Sequence, residues 1–84
     1  MPRPDSLLDR MRRSQDNWHI RDLDHLFTGF GFQRIEGGRH TMFIHPEYPQ
    51  LRATITRSDP PPKGYVRDAV RLVDQLLKME SENA

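Results

Sequence analysis

His40 is the residue best placed for chemistry in this chain, directly after Gly37, Gly38 and Arg39. A histidine takes or gives a proton near neutral pH, because its unperturbed pKa is about 6.5. Glycines beside it let a phosphate backbone approach closely. Arg39 supplies a positive charge for that phosphate. This set suits cleavage of RNA by the adjacent 2′-hydroxyl, which needs a base, a proton donor and a cation. The same residues also describe an ordinary hairpin histidine, and spacing alone does not separate the two readings.

His45 lies five residues on. Side chains alternate along a strand, so His40 and His45 are expected on opposite faces and make a poor acid–base pair. His45 precedes Pro46 and is read as fixing the strand end. Lys63, Tyr65 and Arg67 cluster where the last helix begins. Free amides and the helix dipole attract anions there. Either these residues add a phosphate contact, or Lys63 points to solvent with Tyr65 packed down. Arg52 and Arg57, with Thr54 and Thr56, extend a basic sheet surface. The candidate site is therefore His40 for catalysis, with Gly38, Arg39, Arg57, Lys63 and Arg67 for RNA binding. No HExxH or comparable spacing occurs, so neither metal nor cofactor is expected. There is no phosphate-loop pattern and no nucleophile elbow. His25, Asp22 and Asp24 read as surface residues.

These side chains need a frame, and the sequence outlines one. Asp5 or Ser6 caps a short helix reaching Gln15. Leu7, Leu8 and Met11 give it an apolar edge. Arg10, Arg12 and Arg13 form either a solvated side or a partner-facing one. Asp16 and Asn17 break this helix, and Trp18 plugs the junction. A second helix over residues 20–28 carries Ile20, Leu23, Leu26, Phe27 and Phe30 at spacings of three and four, with Gly29 as a left-handed C-cap. Residues 32–36 read as a strand, Gly37-Gly38 as a primed hairpin turn, and residues 39–45 as a second strand. On that strand Met42 and Ile44 face one way, with His40 beside them or frayed. Thr41, Phe43 and His45 face the other. Residues 51–56 form a third strand with Leu51, Ala53 and Ile55 on one side. Asp59 and Pro60-Pro61-Pro62 make a stiff connector. A last helix over residues 64–79 carries a stripe of Val66, Ala69, Val70, Val73, Leu76 and Leu77. Residues 80–84 read as a frayed tail, and Pro2 to Pro4 as a loose end. The expected fold is α+β: a three-stranded antiparallel sheet with two helices on one face, plus an N-terminal extension helix within residues 1–16.

Composition sets bounds. The chain has 84 residues, enough for a single small domain of marginal stability on its own. Its net charge of +1 excludes a strongly basic nucleic-acid coat. Residues 35–67 nevertheless hold Arg39, Arg52, Arg57, Lys63 and Arg67 against Glu36, Glu47 and Asp59. A local basic face is compatible with the near-neutral total. There is no cysteine, which rules out a disulfide framework, a thiolate nucleophile and a cysteine zinc site. No apolar run approaches the roughly 20 residues that span a bilayer. The N-terminal stretch lacks the apolar core of a signal peptide. The expected location is the cytoplasm, with no membrane contact.

Nearly the whole chain resembles the HicA family of small toxins from bacterial toxin–antitoxin pairs. LLDRMRRSQDNWHIRDLDHLFTGFGF is similar to the family's first helices and its Gly-Phe step, here Gly31-Phe32. RIEGGRHTMFIHP is similar to the hairpin that usually carries Gly-Ser-His, followed by a strand ending in His-Pro. LRATIT resembles the third strand, and KGYVRDAVRLVDQLL the entry to the last helix. The resemblance implies a fold like that of a double-stranded-RNA-binding domain (dsRBD-like). It also implies a metal-independent endoribonuclease acting on mRNA without the ribosome, neutralised by a HicB-like antitoxin. The family's catalytic histidine corresponds to His40. Two departures stand out. Arg39 takes the place of the family's serine. Thr56-Arg57-Ser58 stands where the family often ends in proline-arginine-histidine. The sequence leaves two further functions open: a non-catalytic RNA-binding module on the same fold, and a protein-interaction domain using the open sheet face.

Overall fold

The computed structural model describes residues 4–83. Its elements run α1 (Pro4–Arg13), α2 (Ile20–Gly29), β1 (Gln33–Glu36), β2 (His40–Ile44), β3 (Arg52–Thr56) and α3 (Lys63–Glu82). The strands form one antiparallel sheet in the order β1-β2-β3. This is the expected α+β architecture. The expected loose end lies outside the described residues up to residue 3, and Pro4 already opens α1.

One apolar core joins the helices to a single face of the sheet. Leu23, Leu26 and Phe27 of α2 meet Val66, Ala69, Val73 and Leu76 of α3, together with Phe32, Phe43, Leu51 and Ile55 from the sheet side. Phe27 anchors it, stacked on Phe43 at 4.8 Å between ring centroids and edge-on to Phe32 at 5.1 Å. Thr41, Phe43 and His45 therefore point inward. His40, Met42 and Ile44 lie on the open face. Leu77, expected in the α3 stripe, stands at the stripe's edge and is 37% exposed.

α1 is more than an extension. It packs against both α2 and α3, and Leu7, Leu8 and Met11 belong to the core, with Met11 completely buried. Its basic side is largely occupied. Arg12 bridges Asp9 and the Asp74 carboxylate of α3. Arg10 lies over the Trp18 ring, 5.2 Å from its centroid. The Trp18 indole N–H donates to the Ser14 carbonyl at 2.8 Å, pinning the junction as expected. Asn17 makes the break in a left-handed conformation, φ 65°, which its short side chain tolerates.

Helix ends differ from expectation in instructive ways. The left-handed residue after α2 is Gly31, φ 91°, not Gly29. The Gly31 N–H reaches the Thr28 carbonyl at 3.1 Å and the Phe32 N–H reaches that of Phe27 at 3.0 Å. This pair of bonds is the Schellman motif. It sets the chain into β1 while Phe32 closes on Phe27. At the start of α2, Asp59 accepts the Ile20 N–H at 3.1 Å and Asp22 accepts the His19 N–H at 2.8 Å. The stiff connector is thus anchored to α2 through Asp59. α3 continues through Glu82, and the Asn83 side chain donates to the Tyr48 hydroxyl at 3.2 Å. Residues 80–82 are therefore helical rather than frayed; residue 84 lies outside the described residues.

Candidate functional site

The site is built on the β1–β2 hairpin and the end of β3. The Gly37 N–H donates to the His40 carbonyl at 2.9 Å. The two-residue loop is therefore Gly38-Arg39, one step later than the expected Gly37-Gly38. Neither Gly37 nor Gly38 has positive φ, so the turn is not of the primed kind. The Gly37 carbonyl accepts a hydrogen bond at 3.0 Å from the guanidinium of Arg57, just beyond β3. The hairpin tip is thus closed by the Gly37–His40 backbone bond and also tied to the end of β3 through Arg57.

His40 opens β2 and is exposed. Its register partner on β3 is Thr56. Around it, Gly38, Arg39, Thr56, Arg57 and Ser58 line a shallow surface hollow. Every one of these except Thr56 is exposed. An open hollow with two guanidinium groups and an imidazole accommodates a polyanion passing over it. Enclosed small-molecule sites bury most of their ligand, and this one has no walls for that.

The structure brings together His40, Gly38, Arg39 and Arg57 from the candidate set. Lys63 and Arg67 do not line the hollow. The Lys63 ammonium pairs with the Asp16 carboxylate at 2.8 Å, in the α1–α2 connection. Arg67 lies on a separate surface with Arg71, Asp74 and Lys78. Tyr65 is half-buried against the core, so the packed reading of the α3 start describes it. Thr56 and Ser58 were not among the expected site residues. Counting back from the β2–β3 turn, where His45 faces Leu51, finds Thr56 opposite His40.

His45 is the opposite case. It is only 4% exposed and faces the core, as alternation from His40 requires. Its Nδ1 accepts the Glu47 N–H at 3.2 Å, and its ring sits edge-on to Phe32 at 5.2 Å. It fixes the strand end, as expected. Gly31 makes room for it: a Cβ there would come within 3.4 Å of His45 Nε2. Among the described residues no group of three His, Cys, Asp or Glu side chains is placed to hold a metal ion. Nor is any described helix long and apolar enough to cross a membrane.

Fold and hollow together define a small α+β protein that presents one exposed histidine between two arginines at the end of a three-stranded sheet. Neither a protein-family model, a curated protein nor a solved structure matches the chain.

Proposed function

We propose that this protein is a HicA-like toxin: a metal-independent endoribonuclease that cleaves mRNA in the cytoplasm and is neutralised by a HicB-like antitoxin. The observation that carries this reading is the exposed His40 between Arg39 and Arg57 in one open hollow. In the reaction the RNA 2′-oxygen attacks the adjacent phosphorus and the bond to the 5′-oxygen breaks. His40 takes the 2′-hydroxyl proton or delivers one to the leaving 5′-oxygen, a role typically worth about 10²–10⁴-fold in rate. Arg39 stands on the loop where charge builds on the phosphorane, and preorganised cations are most effective there. Arg57 holds the Gly37 carbonyl and so sets where the loop sits.

A second reading, a non-catalytic RNA-binding module, is favoured by one observation. His45 faces the core, so His40 is the one histidine lining the hollow. The test expresses the wild type beside His40→Ala and follows growth and mRNA integrity together. Growth arrest with mRNA loss in the wild type alone supports the nuclease. Salt-sensitive RNA binding by a folded wild type, with intact mRNA and no arrest, supports the module. Arrest by a folded His40→Ala protein equal to that of the wild type removes His40 from the mechanism.

A further inference from the structure

The two edges of the sheet are built differently. On β1 the side chains turned toward the helices are Arg34 and Glu36, which pair with each other at 2.6 Å. Arg34 also reaches Asp24 of α2 at 3.6 Å. Inward-pointing charge on an edge strand discourages a further strand from pairing there. β3, the sequence Arg-Ala-Thr-Ile-Thr over Arg52–Thr56, carries no such device. Its inward side chains are Ala53 and Ile55, and it contains no proline.

The hydrogen-bond phase of β3 follows from the register. The His45 N–H donates to the Leu51 carbonyl at 3.1 Å, so Phe43 pairs with Ala53, and Thr41 with Ile55, through backbone bonds. The N–H and carbonyl groups of Arg52, Thr54 and Thr56 consequently point away from β2, along the outer edge. Beside that edge, between β3 and α3, runs a groove of about 330 Å³. Ala53, Ile55, Tyr65 and Leu72 form its apolar lining, and Asp68 and Arg71 stand on its α3 side.

We infer that this edge pairs with β3 of a second copy of the chain, antiparallel and about a two-fold axis through Thr54. Three features make the surface self-complementary. Arg52 of one copy falls opposite Thr56 of the other, so no like charges meet. Ala53 falls opposite Ile55, a small side chain beside a large one. Asp68 and Arg71 lie one helical turn apart, so the same axis brings Asp68 of each copy toward Arg71 of the other. A two-fold interface requires this kind of reciprocity. The pairing joins the two sheets into one of six strands and covers the groove. It also sets Arg52 of the second copy beside Thr56, on the open face that carries His40. The inference is independent of the cleavage reading, because assembly is measured without RNA.

Sedimentation and light scattering of the full chain at micromolar concentration test it. The wild type is expected at twice the chain mass. Thr54→Pro removes an outward N–H at the axis, a position where an edge strand tolerates proline. It is expected at single mass with an unchanged circular dichroism spectrum. Asp68→Arg is expected at single mass as well, and Asp68→Arg with Arg71→Asp is expected to restore the dimer. A wild type at single mass, including one that instead captures acidic peptide strands, overturns the proposal. So does a dimer that survives both Asp68→Arg and a change at Thr54: Thr54→Pro where it folds, otherwise the N-methylated Thr54 backbone.

Discussion

The guanidinium of Arg57 donates to the carbonyl oxygen of Gly37 at 3.0 Å, joining the end of β3 to the hairpin that carries His40. Arg57 thus has a structural task besides its charge. Substitution separates the two. Arg57→Ala is expected to speed amide exchange at Gly38, Arg39 and His40 while the fold persists, since Arg57 is exposed. Under the proposed nuclease function, RNA cleavage is expected to fall up to about tenfold, the scale of one ordinary hydrogen bond. Arg57→Lys keeps the charge but loses the planar fork. It is expected to fall similarly. Wild-type rates in the lysine variant would mean that charge alone matters.

Arg39 and Lys63 make opposite predictions for salt dependence. Arg39 sits in the hollow, whereas Lys63 is already paired with Asp16 at 2.8 Å. Under the proposed RNA-directed function, Arg39→Ala is expected to make the slope of log RNA affinity against log salt shallower by about 0.7–0.9, the value for one lost phosphate contact. Lys63→Ala is expected to leave that slope almost unchanged. Fluorescence anisotropy over a salt series reads both, and equal effects would return Lys63 to the interface.

Much of this frame was legible in the chain because local pattern decided it. Leu51, Ala53 and Ile55 against Arg52, Thr54 and Thr56 leave no doubt about the inward side of β3. β2 was harder. Thr41, Phe43 and His45 compete with Met42 and Ile44, and both faces carry apolar groups. Only the stack of Phe27 on Phe43 settles the choice, and it joins residues from different elements. The turn shows how sensitive register is, since one step moves every pairing. Placing the loop at Gly38-Arg39 sets His40 against Gly37, whereas its pairing with Thr56 is fixed by the next turn, closed by the His45 N–H on the Leu51 carbonyl. The pairs Arg57–Gly37, Lys63–Asp16 and Asp59–Ile20 were not legible at all. They join distant positions, and no spacing in the sequence signals them.

Gly31 is the glycine that the backbone requires. With φ at 91°, a Cβ there is strained, and it would also touch His45 Nε2 at 3.4 Å. Gly31→Ala is expected to cost about 1–2 kcal/mol from the left-handed conformation alone. In a domain of this size each kcal/mol lowers Tm by about 4–8 °C. Gly38 has open space around it and an ordinary φ, so Gly38→Ala is expected to melt like the wild type. Thermal unfolding followed by circular dichroism compares them, and an unchanged Gly31→Ala melt would refute the requirement.

Met11 and its neighbour Arg12 test whether α1 belongs to the fold. Met11 is fully buried where α1 packs on α2 and α3. Truncating it to alanine removes packed atoms and leaves a void, which typically costs about 2–5 kcal/mol. Whole domains are stable by only about 5–15 kcal/mol, and small ones bury the least surface. Met11→Ala is therefore expected to lower the urea midpoint severely. Arg12 is the contrast. Its hydrogen bond to Asp74 raises its pKa further above an already high value. A raised cation pKa adds stability below the unfolded value, lost only as pH climbs past the folded one, so the pair persists at every working pH. Both partners are nevertheless about half exposed, and exposed pairs contribute about 0–1 kcal/mol. Arg12→Ala is expected to shift the midpoint only slightly. A Met11→Ala protein that unfolds like the wild type would mean that α1 is an appendage, with the core closed by α2, α3 and the sheet alone.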